Sequence, residues 1–233
     1  MYKKPFHNTE LSRYSFLVTG GAGFIGSNIV EYLIRYGAGK VRVVDNLSTG
    51  YKQNIEEYLD NPSFEFIEEN ICNIEVCNRA ATGMDFIIHQ AALGSVSRSV
   101  ENPIGTNESN VTGFLNILQS AKDNKIKRVV YASSSSVYGD NETLPKIEEN
   151  VGNPLSPYAV SKLVNELYAG VFARIYGMEI IGLRYFNVFG PRQSPKGPYA
   201  AVVPLFIDAM KNSVSPFIFG DGEQSRDFTF VEN

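Results

Sequence analysis

The chain of 233 residues is 43% hydrophobic and 20% charged, which suits a folded globular protein with one large domain, or one domain and part of another. A formal net charge of -4, without a block of lysine or arginine, argues against a nucleic-acid-binding protein. No apolar stretch approaches the roughly 20 residues that span a bilayer, and the first residues lack a signal-peptide core, so we expect no membrane partner.

Short apolar runs alternate with longer segments of helical period. The apolar runs predict strands at residues 15–19, 41–44, 64–67, 85–89, 128–133, 179–185 and 216–220. Helical spacing predicts helices over 24–37, 106–124, 158–177 and about 200–212. Strands that alternate with helices indicate right-handed βαβ units. We therefore predict an α/β fold with a Rossmann-like, doubly wound parallel sheet.

The loop after the first predicted strand reads TGGAGFIG (19–26) and places Gly20, Gly23 and Gly26 at intervals of three before a helix. Such a loop turns tightly, lets the backbone approach a pyrophosphate and brings the helix N-terminus to the phosphates. Asp45 ends the second strand, where its carboxylate can bind both ribose hydroxyls of an adenosine and repel a 2′-phosphate. This combination predicts NAD as cofactor; the alternative is a plain glycine-rich turn and an N-capping aspartate.

Tyr158 and Lys162, in the sequence YAVSK, are four residues apart and share one face of a predicted helix. A phenol is a poor base at neutral pH, but a neighbouring ammonium group stabilises its phenolate form. The pair therefore indicates proton transfer beside the cofactor, although the same spacing also occurs where a lysine is merely solvated.

The sequence resembles the extended short-chain dehydrogenase/reductases that act on nucleotide sugars. The resemblance rests on TGGAGFIG, Asp45, HQAA (89–92), YASSSSVYG (131–139), YAVSK and RYFNVFGPRQ (184–193), and covers the chain beyond about the first 14 residues. It implies three regions: an N-terminal extension (1–14), an NAD-binding Rossmann domain (15–185), and the start of a substrate-binding region (186–233), which we expect to be truncated. It also implies that Ser134 joins Tyr158 and Lys162 as a catalytic residue.

The two positions after Ser134 bear on the reaction. Family members that dehydrate or decarboxylate sugars typically carry Asp or Glu there, whereas this chain has Ser135 and Ser136. We therefore expect a UDP-sugar 4-epimerase, and the similarity is greatest to bacterial enzymes that act on UDP-N-acetylglucosamine and UDP-N-acetylgalactosamine. The alternatives are a UDP-glucose 4-epimerase, another NAD-dependent nucleotide-sugar epimerase or dehydratase, and an inactive NAD-binding fragment.

The resemblance also assigns individual binding residues. Those expected to bind NAD are Gly20, Gly23, Phe24, Ile25, Gly26, Asp45, Asn46, Ser48, Thr49, Gly50, Asn70, Ile71, Gln90, Ala91, Ala92, Asn110, Ser133, Tyr158, Lys162, Tyr185 and Val188. Those expected to bind the UDP-sugar are Gly94, Ser95, Arg98, Ser134, Ser135, Ser136, Tyr158, Asn187, Ala201, Val202 and Arg226. The family usually has Asp at position 70, so Asn70 predicts a weaker contact with the adenine.

Three further expectations concern the cysteines, the histidine and the assembly. Cys72 and Cys77 lack zinc-site spacing and are too few for a disulfide framework, which predicts free thiols, no metal and a cytoplasmic protein. His89 ends a strand, where we expect a structural role. The helices at 106–124 and 158–177 either pair with their copies in a homodimer, as the resemblance implies, or pack only on the sheet.

Overall fold

The computed structural model describes residues 2–196, 200–218 and 220–233. Its strands are β1 (Ser15–Thr19), β2 (Lys40–Val44), β3 (Phe64–Ile67), β4 (Phe86–His89), β5 (Arg128–Ser134), β6 (Ile180–Tyr185), β7 (Asn187–Phe189) and β8 (Phe228–Phe230). Its helices are α1 (Phe24–Arg35), α2 (Ile74–Ala81), α3 (Val96–Glu101), α4 (Pro103–Asn107), α5 (Gly113–Asp123), α6 (Pro157–Tyr176) and α7 (Val202–Lys211). A π-helical turn, Glu108–Thr112, joins α4 to α5.

Six parallel strands form the central sheet in the order β3-β2-β1-β4-β5-β6. The chain moves outward from β1 to β3, then returns to the other side of β1 with β4. This reversal opens a crevice at the carboxyl ends of β1 and β4, the place where doubly wound sheets bind their ligands. The predicted Rossmann-like fold is confirmed.

Hydrophobic clusters cover both faces of the sheet. Successive residues of β1 belong to different clusters: Leu17 packs with Phe114 and Leu118 of α5, whereas Val18 packs with Val30 of α1. Because successive side chains of a strand point to opposite faces, a strand buried on both sides needs an uninterrupted apolar run. This requirement explains why the strands of the sheet were visible in the sequence.

Helix α6 has clear end signals. The Ser156 hydroxyl accepts a hydrogen bond from the Ala159 N–H at 3.1 Å, and Pro157 occupies the first helical position. Gly177 ends the helix in the left-handed conformation, with φ of 64°. Ser156 and Pro157 fix the start of the helix, so Tyr158 lies in its first turn, close to the carboxyl end of the sheet.

The predicted strands from 15–19 to 179–185 and all four predicted helices are present. The predicted strand at 216–220 is wrong for residues 216–218 and 220, and residue 219 lies outside the described residues. Phe217 and Ile218 are 76% and 56% exposed, so this apolar run packs too little to fix a strand. The predicted loop after residue 186 instead contains β7, which pairs in parallel with β8.

The first residues, predicted as an extension, pack on α1 in the structure. The Tyr36 hydroxyl donates to the Tyr2 carbonyl at 2.7 Å, and the Phe6 N–H donates to the Tyr32 hydroxyl at 2.8 Å. Within the described residues, no helix combines the length and the apolar character that crossing a membrane requires. Both cysteines are free thiols, as predicted, while the expected cytoplasmic location remains a prediction.

Candidate active site

A cleft of about 790 Å³ follows the carboxyl edge of the sheet. Residues at or just after the ends of β1, β2, β4, β5 and β6 border it. The predicted NAD-binding residues that line it are Gly20, Gly23, Phe24, Ile25, Gly26, Asp45, Asn46, Ser48, Thr49, Asn70, Ile71, Gln90, Ala91, Ala92, Ser133, Tyr158, Lys162, Tyr185 and Val188. The predicted sugar-binding residues that line it are Gly94, Ser95, Arg98, Ser134, Tyr158, Asn187, Ala201, Val202 and Arg226.

The glycine loop between β1 and α1 forms one wall of the cleft. Gly20 has φ of 69°, and a Cβ atom there would lie 2.6 Å from the Ala91 amide nitrogen. A Cβ atom on Gly26 would overlap the Gly20 carbonyl oxygen. Gly23 precedes α1 without a side chain that could cap the first turn. The loop thus leaves backbone room and a helix N-terminus for a diphosphate, as NAD binding requires.

Asp45 is buried at the end of β2 and holds the base of this loop. Its Oδ2 accepts a hydrogen bond from the Ala22 N–H at 3.0 Å, and its Oδ1 accepts one from the Leu47 N–H at 2.8 Å. Burial raises the pKa of the carboxyl, while these two hydrogen bonds oppose the rise. Because each oxygen keeps a second lone pair, Asp45 can still accept hydrogen bonds from a ribose diol.

Tyr158, Lys162 and Ser134 meet at the end of β5. Burial raises the pKa of Tyr158, and a hydrogen bond with Ser134 opposes that rise. Lys162 is buried; its Nζ donates to the Ala132 carbonyl oxygen at 2.8 Å, and burial lowers its pKa to about 8. The arrangement therefore places a phenol, a hydroxyl and an ammonium group beside the cleft, which is what proton transfer to or from a hydroxyl requires.

The four serines at 133–136 differ in their hydrogen bonds and in their position relative to the cleft. Ser133 donates its hydroxyl hydrogen to Oε1 of Glu166 at 2.5 Å, while Ser134 Oγ accepts from the Ser136 N–H at 3.1 Å and its hydroxyl at 2.9 Å. Ser135 and Ser136 belong to a 3₁₀ turn, Ser135–Tyr138, and do not line the cleft. Their predicted contact with the sugar therefore remains a prediction that the cleft geometry does not support.

Two predicted cofactor residues, Gly50 and Asn110, also lie outside the cleft lining. A Cβ atom on Gly50 would come within 2.9 Å of the Ala22 carbonyl carbon. The glycine therefore allows the chain at residue 50 to pack closely against the glycine loop. Asn110 Oδ1 accepts from the Leu93 N–H at 2.7 Å, and its Nδ2 donates to Ser161 Oγ at 3.2 Å. Asn110 thus connects the segment after β4 with α6.

The far side of the cleft carries the residues predicted to bind the UDP-sugar. Ser95 caps α3 by accepting the Arg98 N–H at 3.2 Å, and Asn187 Nδ2 donates to the Asp227 carbonyl oxygen at 3.1 Å. Arg226 is exposed at the cleft, where its guanidinium donates to the Ser225 carbonyl oxygen at 2.7 Å and to Gln224 Oε1 at 3.3 Å. Lys196 also lines this side, a cation that the sequence analysis missed although it interrupts a Pro- and Gly-rich loop.

His89 is buried, and its Nδ1 lies 2.8 Å from Thr19 Oγ1. Burial, with a smaller contribution from the charge on Lys162, lowers the pKa of His89 to about 3, so the imidazole is neutral at physiological pH. A neutral, buried ring at the end of β4 fits the structural role expected for it. Among the described residues, no group of His, Cys, Asp and Glu has the arrangement of a metal site.

Comparison with known proteins places this cleft in a family. The family model described as NAD dependent epimerase/dehydratase family matches residues 16–233. A relative from Methanocaldococcus jannaschii, named as an inferred UDP-glucose 4-epimerase, is 46% identical over 217 residues, which are 92% of this chain and 69% of that protein. The chain belongs to the NAD-dependent epimerase/dehydratase family.

Solved structures agree with this assignment. A UDP-N-acetylglucosamine 4-epimerase from Methanobrevibacter ruminantium, in complex with UDP-N-acetylmuramic acid, is 44% identical with a TM-score of 0.88, over 94% of this chain and 69% of its own. A UDP-glucose 4-epimerase from Thermotoga maritima, with UDP-glucose, is 39% identical with a TM-score of 0.87, over 94% and 70%. The predictions of an epimerase enzyme and of NAD as its cofactor are confirmed.

Proposed function

We propose that the protein interconverts the two C4 epimers of a UDP-hexose and that UDP-N-acetylglucosamine and UDP-N-acetylgalactosamine are its preferred pair. The observation that carries this proposal is the meeting of Tyr158, Ser134 and Lys162 at the cleft, with serines rather than acids at the next two positions. A 4-epimerase needs one proton acceptor for the sugar hydroxyl, whereas dehydration and decarboxylation need a further acid or base.

Tyr158, as a phenolate, takes the proton of the sugar 4-hydroxyl, and Ser134 binds the same oxygen through its own hydroxyl. NAD⁺, held by the glycine loop, Asp45 and Lys162, would supply reversible hydride acceptance at C4, with return of the hydride to the opposite face of the ring. Tyr158 then gives the proton back to the 4-oxygen. Burial works against the phenolate because it raises the pKa of Tyr158. The Lys162 ammonium supplies the opposing charge, and with a pKa of about 8 it remains protonated at neutral pH.

The relatives support the choice of substrate class. Three relatives at 39%, 44% and 46% identity carry the names of UDP-glucose and UDP-N-acetylglucosamine 4-epimerases, which favours a UDP-hexose over other nucleotide sugars. The segment Gly94, Ser95 and Arg98 lines the cleft, as expected for a sugar pocket of the N-acetylhexosamine type. Arg226 lines the cleft, and a guanidinium group there can bind diphosphate oxygens in two-point contacts, which supports its proposed role toward UDP. UDP-glucose is the second candidate substrate, favoured by the Thermotoga maritima structure.

The outer face of α6 supports a homodimer. Val160, Leu167 and Ile175 are 48%, 61% and 68% exposed, and Val100 and Ile104 nearby in the helical layer are 64% and 73% exposed. Apolar side chains repeated along one helix face indicate a surface that a second copy covers. Sedimentation of the wild type against Leu167→Glu, at several concentrations, measures this association: a dimer that persists in the variant contradicts it.

The enzymatic test compares the wild type with Tyr158→Phe. Each is assayed with UDP-N-acetylglucosamine and UDP-glucose, and its NAD content is measured by mass spectrometry. The proposal expects epimerisation by the wild type, faster with the N-acetylated sugar, and loss of turnover in the variant with NAD retained. Full activity of Tyr158→Phe contradicts the mechanism. A wild type that holds NAD but converts no UDP-sugar indicates a binding protein instead.

A further inference from the structure

Glu166 lies on α6 one turn beyond Lys162 and two turns beyond Tyr158, and no sequence motif pointed to it. Its carboxylate makes a two-point ion pair with Arg184 of β6: Arg184 Nε donates to Oε1 at 2.9 Å, and a terminal guanidinium nitrogen donates to Oε2 at 2.8 Å. Oε1 also accepts the Ser133 hydroxyl at 2.5 Å. A single carboxylate therefore connects α6 with both β5 and β6.

These contacts complete a register between the helix and the end of β5. Tyr158 meets Ser134, Lys162 donates to the carbonyl oxygen of Ala132, and Glu166 accepts from Ser133. Three successive turns of α6 thus each bond one of three consecutive residues of β5. Sliding or rotating the helix would break all three contacts at once, so the outermost contact helps to fix the other two.

The charge on Glu166 is compensated inside the protein. The side chains of Glu166 and Arg184 are only 21% and 15% exposed. Burial alone would raise the pKa of Glu166, but the hydrogen bonds from Arg184 and Ser133 outweigh it and hold the pKa below its usual value. The carboxylate therefore stays ionised, and its two-point pairing gives the contact a defined geometry.

Arg184 extends the connection to the other side of the site. Another of its guanidinium nitrogens donates to the Glu148 carbonyl oxygen at 2.9 Å, and its guanidinium carbon lies 4.7 Å from the centroid of the Tyr138 ring. Tyr138 ends the 3₁₀ turn that begins at Ser135, and Glu148 lies in the segment between that turn and α6. The ion pair is thus a junction of α6, β5, β6 and the turn that follows the catalytic serine.

We infer that Glu166, held by Arg184, is a positioning residue that fixes Tyr158 and Lys162 against the end of β5 through its hydrogen bond with Ser133. The inference rests on the proposed function for its effect on turnover, but not for its effect on the surroundings of Lys162. Without the Glu166 carboxylate, the helix face carrying Lys162 loosens and water reaches its Nζ.

The test measures Lys162 directly, by NMR titration of lysine labelled with ¹³C at Cε, and Lys162→Met identifies its signal. In the wild type we expect the pKa of Lys162, lowered by burial, to lie below those of the exposed lysines. In Glu166→Ala we expect this midpoint to rise by about one pH unit or more, because desolvation of the ammonium is relieved. We also expect kcat to fall at least about 10-fold with KM within about twofold of the wild type. NAD content is expected to be unchanged.

Glu65→Ala is the matched control, since Glu65 pairs with Arg42 at 3.0 Å in the β2–β3 part of the sheet, away from α6. It should leave both the Lys162 midpoint and kcat unchanged. Ser133→Ala keeps the Glu166–Arg184 pair but removes its bond to β5, so a smaller rise of the Lys162 midpoint is expected. If Glu166→Ala fails to fold, the Lys162 midpoint in Ser133→Ala tests whether the bond between Glu166 and Ser133 positions Lys162.

An unchanged Lys162 midpoint in a folded Glu166→Ala, or in Ser133→Ala if the first variant is unfolded, overturns the inference. A lower melting temperature with unchanged kcat per NAD-loaded site overturns it too, because that is the signature of a purely structural ion pair. A wild type without epimerase activity refutes the proposed function, whereas the titration still decides the role of Glu166.

Discussion

The Nζ atom of Lys162 lies 5.9 Å from the centroid of the Tyr158 ring, one helical turn away on the same face of α6. The ammonium does not hydrogen-bond the phenol; it is held by the Ala132 carbonyl oxygen, at 2.8 Å. Its influence on Tyr158 therefore acts through charge across a buried space, where electrostatic interactions are stronger than in water. A buried charge of this kind is unfavourable for folding, and this cost can be measured.

We predict that Lys162→Met changes the pH dependence of stability. Burial lowers the pKa of Lys162 to about 8, whereas an unfolded lysine titrates near its model value of 10.5. Between these values the unfolded chain binds more protons than the folded one, so wild-type stability rises with pH there, and the cost of the buried charge is full below about 8. The variant lacks this titration.

The measurement is the free energy of unfolding from denaturant titrations at about pH 7 and about pH 10. Relative to Lys162→Met, the wild type should gain about 2–3 kcal/mol between the two conditions, an upper estimate for a buried group. Lys127→Met is the control, because this lysine is exposed, and it should follow the wild type closely. An equal pH dependence of Lys162→Met and wild type would mean that Lys162 is solvated.

The strands of the sheet were predictable because each carries an apolar run, and β1, in the interior of the sheet, is buried on both faces. Helix α2 was not predicted; it is short, and Asn73 fixes its start by accepting the Glu75 N–H at 2.9 Å. The pairing of β7 with β8 joins residues that are far apart in sequence, which local patterns do not encode. The opposite error is the strand predicted at 216–218, which the structure lacks. An apolar run there does not form a strand, because no neighbouring strand among the described residues pairs with it.

The residues of the candidate site also fall into those that local sequence patterns predict and those that depend on tertiary contacts. Gly20, Gly26, Tyr158 and Lys162 were identified because their spacing itself carries the chemistry. Glu166 was not identified from the sequence because its partners, Ser133 of β5 and Arg184 of β6, lie in other elements. Its role therefore depends on tertiary contacts. The only local signal is its four-residue spacing from Lys162, which is too common on helices to single out a residue.

We predict that Gly20→Ala abolishes NAD binding by the folded protein. The glycine has a positive φ, and the new Cβ atom would lie 2.6 Å from the Ala91 amide nitrogen, which forces the phosphate loop away from its present path. Gly37→Ala is the matched control: its φ is 71°, but a Cβ atom there meets nothing within 4 Å. Both variants should lose about 1 kcal/mol or more of stability from backbone strain.

The NAD content of each purified variant, together with calorimetric titration of NAD, separates the two effects. Gly37→Ala should bind NAD like the wild type, since its strain lies beyond the C-terminal end of α1. Retention of NAD by Gly20→Ala would show that the loop tolerates a side chain and that the close approach to Ala91 is not needed.

Asp45 sets the choice between NAD and NADP in our prediction. In Asp45→Ala, the loss of the carboxylate removes the acceptor for a ribose diol and the repulsion of a 2′-phosphate. We expect NAD affinity to fall about 10- to 100-fold and the preference for NAD over NADP to shrink markedly. Calorimetric titration with both cofactors checks this. The variant also frees the Ala22 N–H, so circular dichroism must show that the fold is retained.

Asp45→Asn refines this prediction, because the amide keeps one acceptor oxygen and loses the negative charge. If the negative charge governs the discrimination, Asp45→Asn should raise the affinity for NADP by a larger factor than it lowers the affinity for NAD. An Asp45→Asn protein that excludes NADP as strongly as the wild type would place the discrimination elsewhere in the cleft.

Ser134 and Ser136 should differ sharply when each is replaced by alanine. Ser134 bonds Tyr158 and is expected to bind the reacting oxygen, so Ser134→Ala should lower kcat about 100-fold or more. Ser136 lies outside the cleft lining and its hydroxyl donates to Ser134 Oγ at 2.9 Å, so Ser136→Ala should lower kcat by about 10-fold or less. Initial rates with UDP-N-acetylglucosamine, at saturating substrate and known NAD occupancy, measure the difference. Equal losses in the two variants would assign the reacting oxygen to the serine pair as a unit, and a larger loss in Ser136→Ala would move the catalytic hydroxyl to Ser136.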